Sequence, residues 1–173
     1  MNEVECRRAS VLNYFGEPFD KSKCMQTCDN CQDDRPIIEK DLTVNGKELL
    51  QLFQQLMKKN SGAVGISILQ LTQVYRGNNT AQIRNYKFND VRLYGKGKSL
   101  QKDEGERLVQ HMVLKGYFAE EARENGSGYT SDYAILGPKY RLLETGQERL
   151  LLAFRASAAS ARKTTASARK QKE

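Results

Sequence analysis

The sequence predicts a mainly α-helical chain with a small β component: a cysteine-bound helical module followed by a larger helical body that ends in a β-hairpin. Three observations predict it. All four cysteines fall within the first 31 residues. Between residues 43 and 116, apolar side chains recur at helical spacing in several separate stretches. Two strand-like runs, Tyr117 to Arg123 and Tyr133 to Leu136, then flank a loop rich in Gly, Ser and Asn.

Cys6, Cys24, Cys28 and Cys31 are separated by 17, three and two residues, which suits a tetrahedral four-thiolate site. A structural zinc ion is the first inference. With all four thiolates bound, no position is left for water, so the metal holds the fold and does not catalyse. Two readings compete with it. Two disulfides require an oxidising compartment, yet Met1-Asn2-Glu3-Val4-Glu5 opens no basic, apolar leader, and no apolar run is long enough to span a membrane. An iron–sulfur cluster also takes four cysteines, and a brown preparation would distinguish it from colourless zinc.

Residues 2–15 read as a helix with Val4, Val11, Leu12 and Phe15 near one face and Gly16 ending it, so that Cys6 projects toward the Cys24 to Cys31 knuckle. Asp33-Asp34-Arg35-Pro36 breaks the pattern, and Ile37 to Asp41 leads out as a connector. From Val44, capped by Thr43, a second helix carries Leu49, Leu52, Phe53, Leu56 and Met57, and Lys58, Lys59, Asn60 and Gly62 make its C-terminus. Ala63-Val64-Gly65-Ile66 suits one edge strand. Ser67 then caps a helix with Ile68, Leu69, Leu71, Val74 and Tyr75, stopped by Arg76-Gly77, and Asn78, Asn79 or Thr80 starts another that runs to about Phe88. Two short helices around a glycine turn make a helix-turn-helix. Lys102 to Gly116 is a further amphipathic helix, on which His111 has no metal-binding neighbour and reads as a boundary residue. Thr145 caps a predicted last helix through Leu150, Leu151 and Phe154. Together these elements amount to a four-cysteine zinc-binding helical module (1–41), a winged-helix domain with a β-hairpin wing (42–154) and a flexible basic linker or tail (155–173).

The net charge of +7 is unevenly placed. Residues 76–98 carry six basic groups and one acidic, as do residues 155–173, whereas residues 1–41 carry six basic and nine acidic. Such clustering is the footprint of phosphate binding. The chain has no G-x-x-x-x-G-K-[ST] phosphate loop, so ATP hydrolysis by this stretch alone is not expected.

Cys6-Arg7-Arg8, Tyr14-Phe15-Gly16-Glu17 and Cys28-Asp29-Asn30-Cys31 resemble the zinc-binding module that follows the motor lobes of RecQ-family DNA helicases. Tyr75-Arg76-Gly77, Tyr94-Gly95-Lys96-Gly97 and the Glu106-Arg107-Leu108 helix resemble the winged-helix (RQC) domain that comes next in that family. The similarity extends over about residues 4–154 and is nearest to the eukaryotic Bloom-syndrome type. The resemblance implies a nuclear DNA-repair and recombination protein whose upstream motor lobes use ATP and Mg2+ for 3′-to-5′ movement. The fragment itself is expected to be monomeric, bound to no membrane, and to dock on duplex, forked or other structured DNA.

Carried over residue by residue, phosphate contacts fall at Arg76, Asn78 and Asn79, extended by Arg84, Lys87, Lys96 and Lys98. Family members often have Ser after Arg-Gly, where this chain has Asn78. The resemblance also implies that the hairpin wing can act as a strand-separating wedge, in which Tyr129 is the aromatic to stack on an unpaired base, flanked by Arg123 and Asn125. Two other function classes compete. A winged helix can be a protein–protein adaptor, and a zinc-containing transcription regulator would read sequence.

Overall fold

The structure is a computed structural model and describes residues 4–59, 65–124 and 128–156. In chain order its elements are α1 (Arg7–Tyr14), α2 (Asp29–Gln32), β1 (Ile37–Asp41), α3 (Thr43–Lys59), α4 (Ile68–Arg76), α5 (Ala81–Asn85), α6 (Lys102–Leu114), β2 (Phe118–Glu124), β3 (Thr130–Leu136), α7 (Tyr140–Thr145) and β4 (Leu151–Arg155). Short 3-10 turns lie at Lys21–Cys24, Phe88–Asp90 and Lys96–Ser99. The described residues divide into two compact units, one within Met1–Lys40 and Leu151–Glu173 and the other within Asp41–Leu150. Among the described residues, no helix is long and apolar enough to cross a membrane.

The second unit is the winged helix. Leu49, Leu52, Phe53 and Leu56 line the buried stripe of α3, as their i, i+3, i+4, i+7 spacing predicts. Phe53 meets Phe118 of the wing edge-on at 5.6 Å, which ties the first helix of this unit to the base of the hairpin. Ser67 caps α4 with Gln70 in a reciprocal capping box, and Gly77, at φ +77°, ends it in the left-handed conformation that Gly adopts without strain. Thr80 caps α5 through the Ile83 amide. In the wing, β2 pairs antiparallel with β3 from Phe118↔Leu136 to Glu124↔Thr130. Ile66 meets this sheet through its carbonyl, which accepts from the Ala134 amide at 2.7 Å.

Several expectations are corrected. The first helix begins at Arg7, with Cys6 as its N-cap, and it buries none of its own residues: Val11 and Phe15, expected on an inner face, are exposed. This helix is positioned by polar bonds around the cysteines and not by an apolar seam. Thr43 does not cap α3 with its side chain; Asp41 accepts from the Thr43 amide, while Thr43 Oγ1 accepts from the Leu150 amide at 2.9 Å. The helix expected from Thr80 to Phe88 stops at Asn85. The hairpin strands run further toward the tip than predicted. The helix expected from Thr145 to Phe154 is replaced by α7, which Gly146 ends at φ +82°, and by β4, whose alternating burial at Leu152 and Phe154 has the period of a strand. Asn60, Gly62, Ala63, Val64, Asn125 and the tail beyond Ala156 lie outside the described residues.

Candidate metal centre and nucleic-acid interface

The four cysteine sulfurs lie within 4.8 Å of one another, and Cys28 Sγ is 3.9 Å from Cys6 Sγ. Tetrahedral zinc with Zn–S bonds of about 2.3 Å requires sulfurs about 3.8 Å apart, so this all-thiolate donor set fits the ion. Cys6 and Cys24 are buried, and Cys28 and Cys31 half-buried. Burial by itself raises the Cys24 thiol, but hydrogen bonds from the Cys28 backbone and the Thr27 hydroxyl bring it down to about 6. Cys31 is pushed up to about 12, first by its hydrogen bond with Cys28 and then by burial. Sulfurs this close cannot all ionise without a cation between them.

The Asp-Asn pair inside Cys28-Asp29-Asn30-Cys31 ties the cysteine-bearing segments to one another. Arg7 Nε and Nη2 donate to the two Asp29 oxygens at 2.5 and 2.7 Å, a bidentate pair on the C-terminal flank of Cys6. Asn30 Nδ2 donates to the Glu5 carbonyl at 2.7 Å, on its N-terminal flank. Both neighbours of one ligand are thus bound by the residues between two others, the outer layer that fixes metal ligands in place. Thr27 donates to the Cys24 carbonyl at 2.7 Å, closing the knuckle over the left-handed Met25 and Gln26.

The second candidate site is the turn after α4. Gly77 and the Gly95 loop pack backbone to backbone: a Cβ on Gly77 would stand 2.9 Å from Gly95 Cα and 2.6 Å from Lys98 Cε. The Gly95 amide donates to the Val74 carbonyl at 3.1 Å, and Tyr94 donates its hydroxyl to the carbonyls of Gly77 and Asn78 at 3.0 and 3.2 Å. Gly97 lies against the buried ring of Tyr75, where a Cβ would stand well inside van der Waals contact. This packing brings Arg76, Asn78 and Asn79 together with Lys96 and Lys98. Asn79, Lys96 and Lys98 are exposed, and Arg76 and Asn78 half-buried. Arg84 is exposed on α5 and donates to the Asn79 carbonyl at 3.0 Å, so it joins the same turn. Lys87 follows α5 in the left-handed conformation, exposed, with its carbonyl accepting from Lys59 Nζ at 2.6 Å. Lys59 Nζ also makes an ion contact with Asp90 Oδ2 at 3.4 Å, so this helix-terminal lysine serves the fold.

In the wing, Tyr129 is exposed just before β3, and Arg123 is ion-paired with Glu121 two residues away on the same strand. The strand register puts Glu120, Glu124 and Asp132 on one face and the Glu121–Arg123 pair with Ser131 and Tyr133 on the other.

Residues 36–161 match the RQC domain, and residues 1–32 match the RecQ zinc-binding domain. The chain belongs to the RecQ family. It is 32% identical over 168 residues to ATP-dependent helicase SGS1 of Saccharomyces cerevisiae, a match covering 96% of this chain and 11% of the relative. It is 32% identical over 153 residues to ATP-dependent DNA helicase hus2/rqh1 of Schizosaccharomyces pombe, covering 87% of this chain and 11% of the relative. RecQ-like DNA helicase BLM of Xenopus laevis is 26% identical over 178 residues, covering 96% and 13%. The chain therefore spans about a tenth of the length of these relatives. The zinc-binding module and winged helix expected from the RecQ resemblance are both present, with Cys6, Cys24, Cys28 and Cys31 as the grouped set of thiols among the described residues.

Proposed function

We propose that this RQC region binds duplex or forked DNA through the phosphate backbone, as the DNA-docking part of an ATP-dependent 3′-to-5′ helicase that works in the nucleus in recombination and repair. The observation that carries the reading is the gathering of Arg76, Asn78, Asn79, Lys96 and Lys98 around the Gly77–Gly95 contact, with Arg84 bonded to Asn79. Backbone amides in the turn and cationic side chains beside it suit phosphate oxygens. ATP and Mg2+ belong to the motor lobes that precede this region in the parent protein, and zinc serves the fold.

Sequence-specific readout is disfavoured by where the base-reading candidates of α5 spend their hydrogen bonds. Gln82 Oε1 accepts from Gln70 at 2.9 Å, and Arg84 is engaged with Asn79. A transcription regulator would hold such side chains ready for base edges. Glu120, Glu124 and Asp132 make one face of the wing unsuited to phosphates, and on the other face Arg123 is paired with Glu121, so the wing meets DNA by its tip, where Tyr129 can stack on an unpaired base at a fork.

The test is Arg76→Ala with Arg84→Ala and Lys87→Ala in the full chain, titrated with blunt and forked duplexes at two salt concentrations. The expected result is a loss of about 10-fold or more, and a log K against log salt slope shallower by about 0.9 for each phosphate contact removed. An unchanged affinity favours the protein-adaptor reading, and strong preference for one short sequence at constant salt favours the regulator.

A further inference from the structure

Arg155 stands at the far end of the described chain, in a stretch whose composition reads as linker, yet its side chain is only 11% exposed. Both terminal nitrogens of its guanidinium are hydrogen-bonded, while Nε is buried without a hydrogen bond among the described residues and has only a carboxylate beside it. Nη2 donates to the Asn30 carbonyl, Nη1 donates to the carbonyls of Asp33 and Arg35, the latter at 3.2 Å, and Nε makes an ion contact with Asp33 Oδ2 at 3.2 Å. The neighbouring backbone is tied to the same segment, since the Ala156 amide donates to the Pro36 carbonyl at 2.9 Å and β4 pairs with β1.

The acceptors matter more than their number. Asn30 stands between the ligands Cys28 and Cys31 on α2, a single helical turn whose carbonyls have almost no intrahelical partners. The Asn30 side chain already reaches back to Glu5, beside Cys6. Its carbonyl is the remaining handle on that turn, and Arg155 holds it. A planar fork with fixed donors can serve three carbonyls at once while its charge lies beside a carboxylate; an ammonium has the charge but not the geometry. A cation this buried is kept only where acceptors and an opposite charge surround it, as they do here.

We propose that Arg155 is a positioning residue of the metal centre: a staple from beyond the winged helix that fixes α2, and through it Cys28 and Cys31, for zinc. The zinc module is then discontinuous in sequence, and the chain must extend through residue 155 before its metal is held at full strength. This rests on reading the four-cysteine group as a zinc site.

The experiment uses the full chain loaded with zinc and follows metal transfer to a chromogenic chelator near neutral pH. Arg155→Ala and Arg155→Lys should each speed release by about 10–100-fold, the usual effect of losing an outer partner of a metal ligand. Ala156→Pro removes the amide bond to Pro36 but leaves the guanidinium, and should change the rate by less than roughly threefold. In the cobalt-substituted protein, the thiolate charge-transfer bands should shift in Arg155→Lys and not in Ala156→Pro. Release from Arg155→Lys at the wild-type rate would overturn the proposal, as would equal acceleration by Ala156→Pro, which would mean that β4 pairing alone matters. Wild-type protein that binds no zinc would instead sink the metal reading itself.

Discussion

His111 lies half-buried on α6, one turn from Arg107 on one side and from Lys115 on the other. Burial first, then the charges of Lys115 and Arg107, hold its imidazole below the ordinary value. The unfolded chain therefore takes up a proton, near pH 6.5, before the folded chain does. The unfolded state binds more protons in that window, so this contribution to stability is complete above about pH 6.5 and is lost as the pH falls toward the folded value. His111→Gln should flatten the loss of urea midpoint between about pH 7.5 and pH 5.5; an identical pH slope in the variant would refute the assignment. Tyr117 has the opposite sign. Burial and its hydrogen bond to Glu148 push its phenol up to about 12, so its contribution holds below about pH 10 and disappears as the pH rises through 12.

At the scale of elements, the Tyr75–Gly97 contact couples α4 to the lysine-bearing turn. Tyr75 is buried, donates to Glu48 Oε2 at 2.6 Å and accepts from Asn45 at 2.9 Å, so its ring is fixed from the α3 side and cannot retreat. Gly97→Ala drives a methyl into that ring. Overpacking of this kind costs about 1–3 kcal/mol, and here it pushes Lys96 and Lys98 away from the Gly77 turn. The expected result is a lowered melting temperature together with weaker DNA binding at low salt. A variant with wild-type stability would show that the turn can move aside. The turn's motif was legible in the sequence as Tyr-Gly-Lys-Gly, but not its partner, because nothing in the spacing says that Gly95 meets Gly77.

For the whole molecule, the division into two units makes a separable prediction. Every side chain proposed to meet DNA lies within Asp41–Leu150, and the four grouped cysteines lie in the other unit. A structural zinc site supplies on the order of 10 kcal/mol in small metal domains, so a chelator should unfold the cysteine unit outright. The winged helix should keep its own melting transition and its affinity for a blunt duplex to within roughly threefold. Loss of both transitions together would show that the units fold as one.

By itself the sequence determined the four-cysteine group, the helix cap at Ser67, the apolar stripe of α3 and the hairpin, because each is written in residues close along the chain, whereas the choice of Thr80 over Asn78 and Asn79 as the cap of α5 came from the structure. Only the tertiary structure decided the end of the chain. Leu150, Leu151, Leu152 and Phe154 make an apolar run that suits a helix or a strand equally, and the choice fell to pairing with β1, more than a hundred residues upstream. Arg155 looks like one more linker charge until the fold sets it against the Asn30 carbonyl. Local bonding can be read from local spacing, whereas a contact between distant segments depends on the path the backbone takes between them.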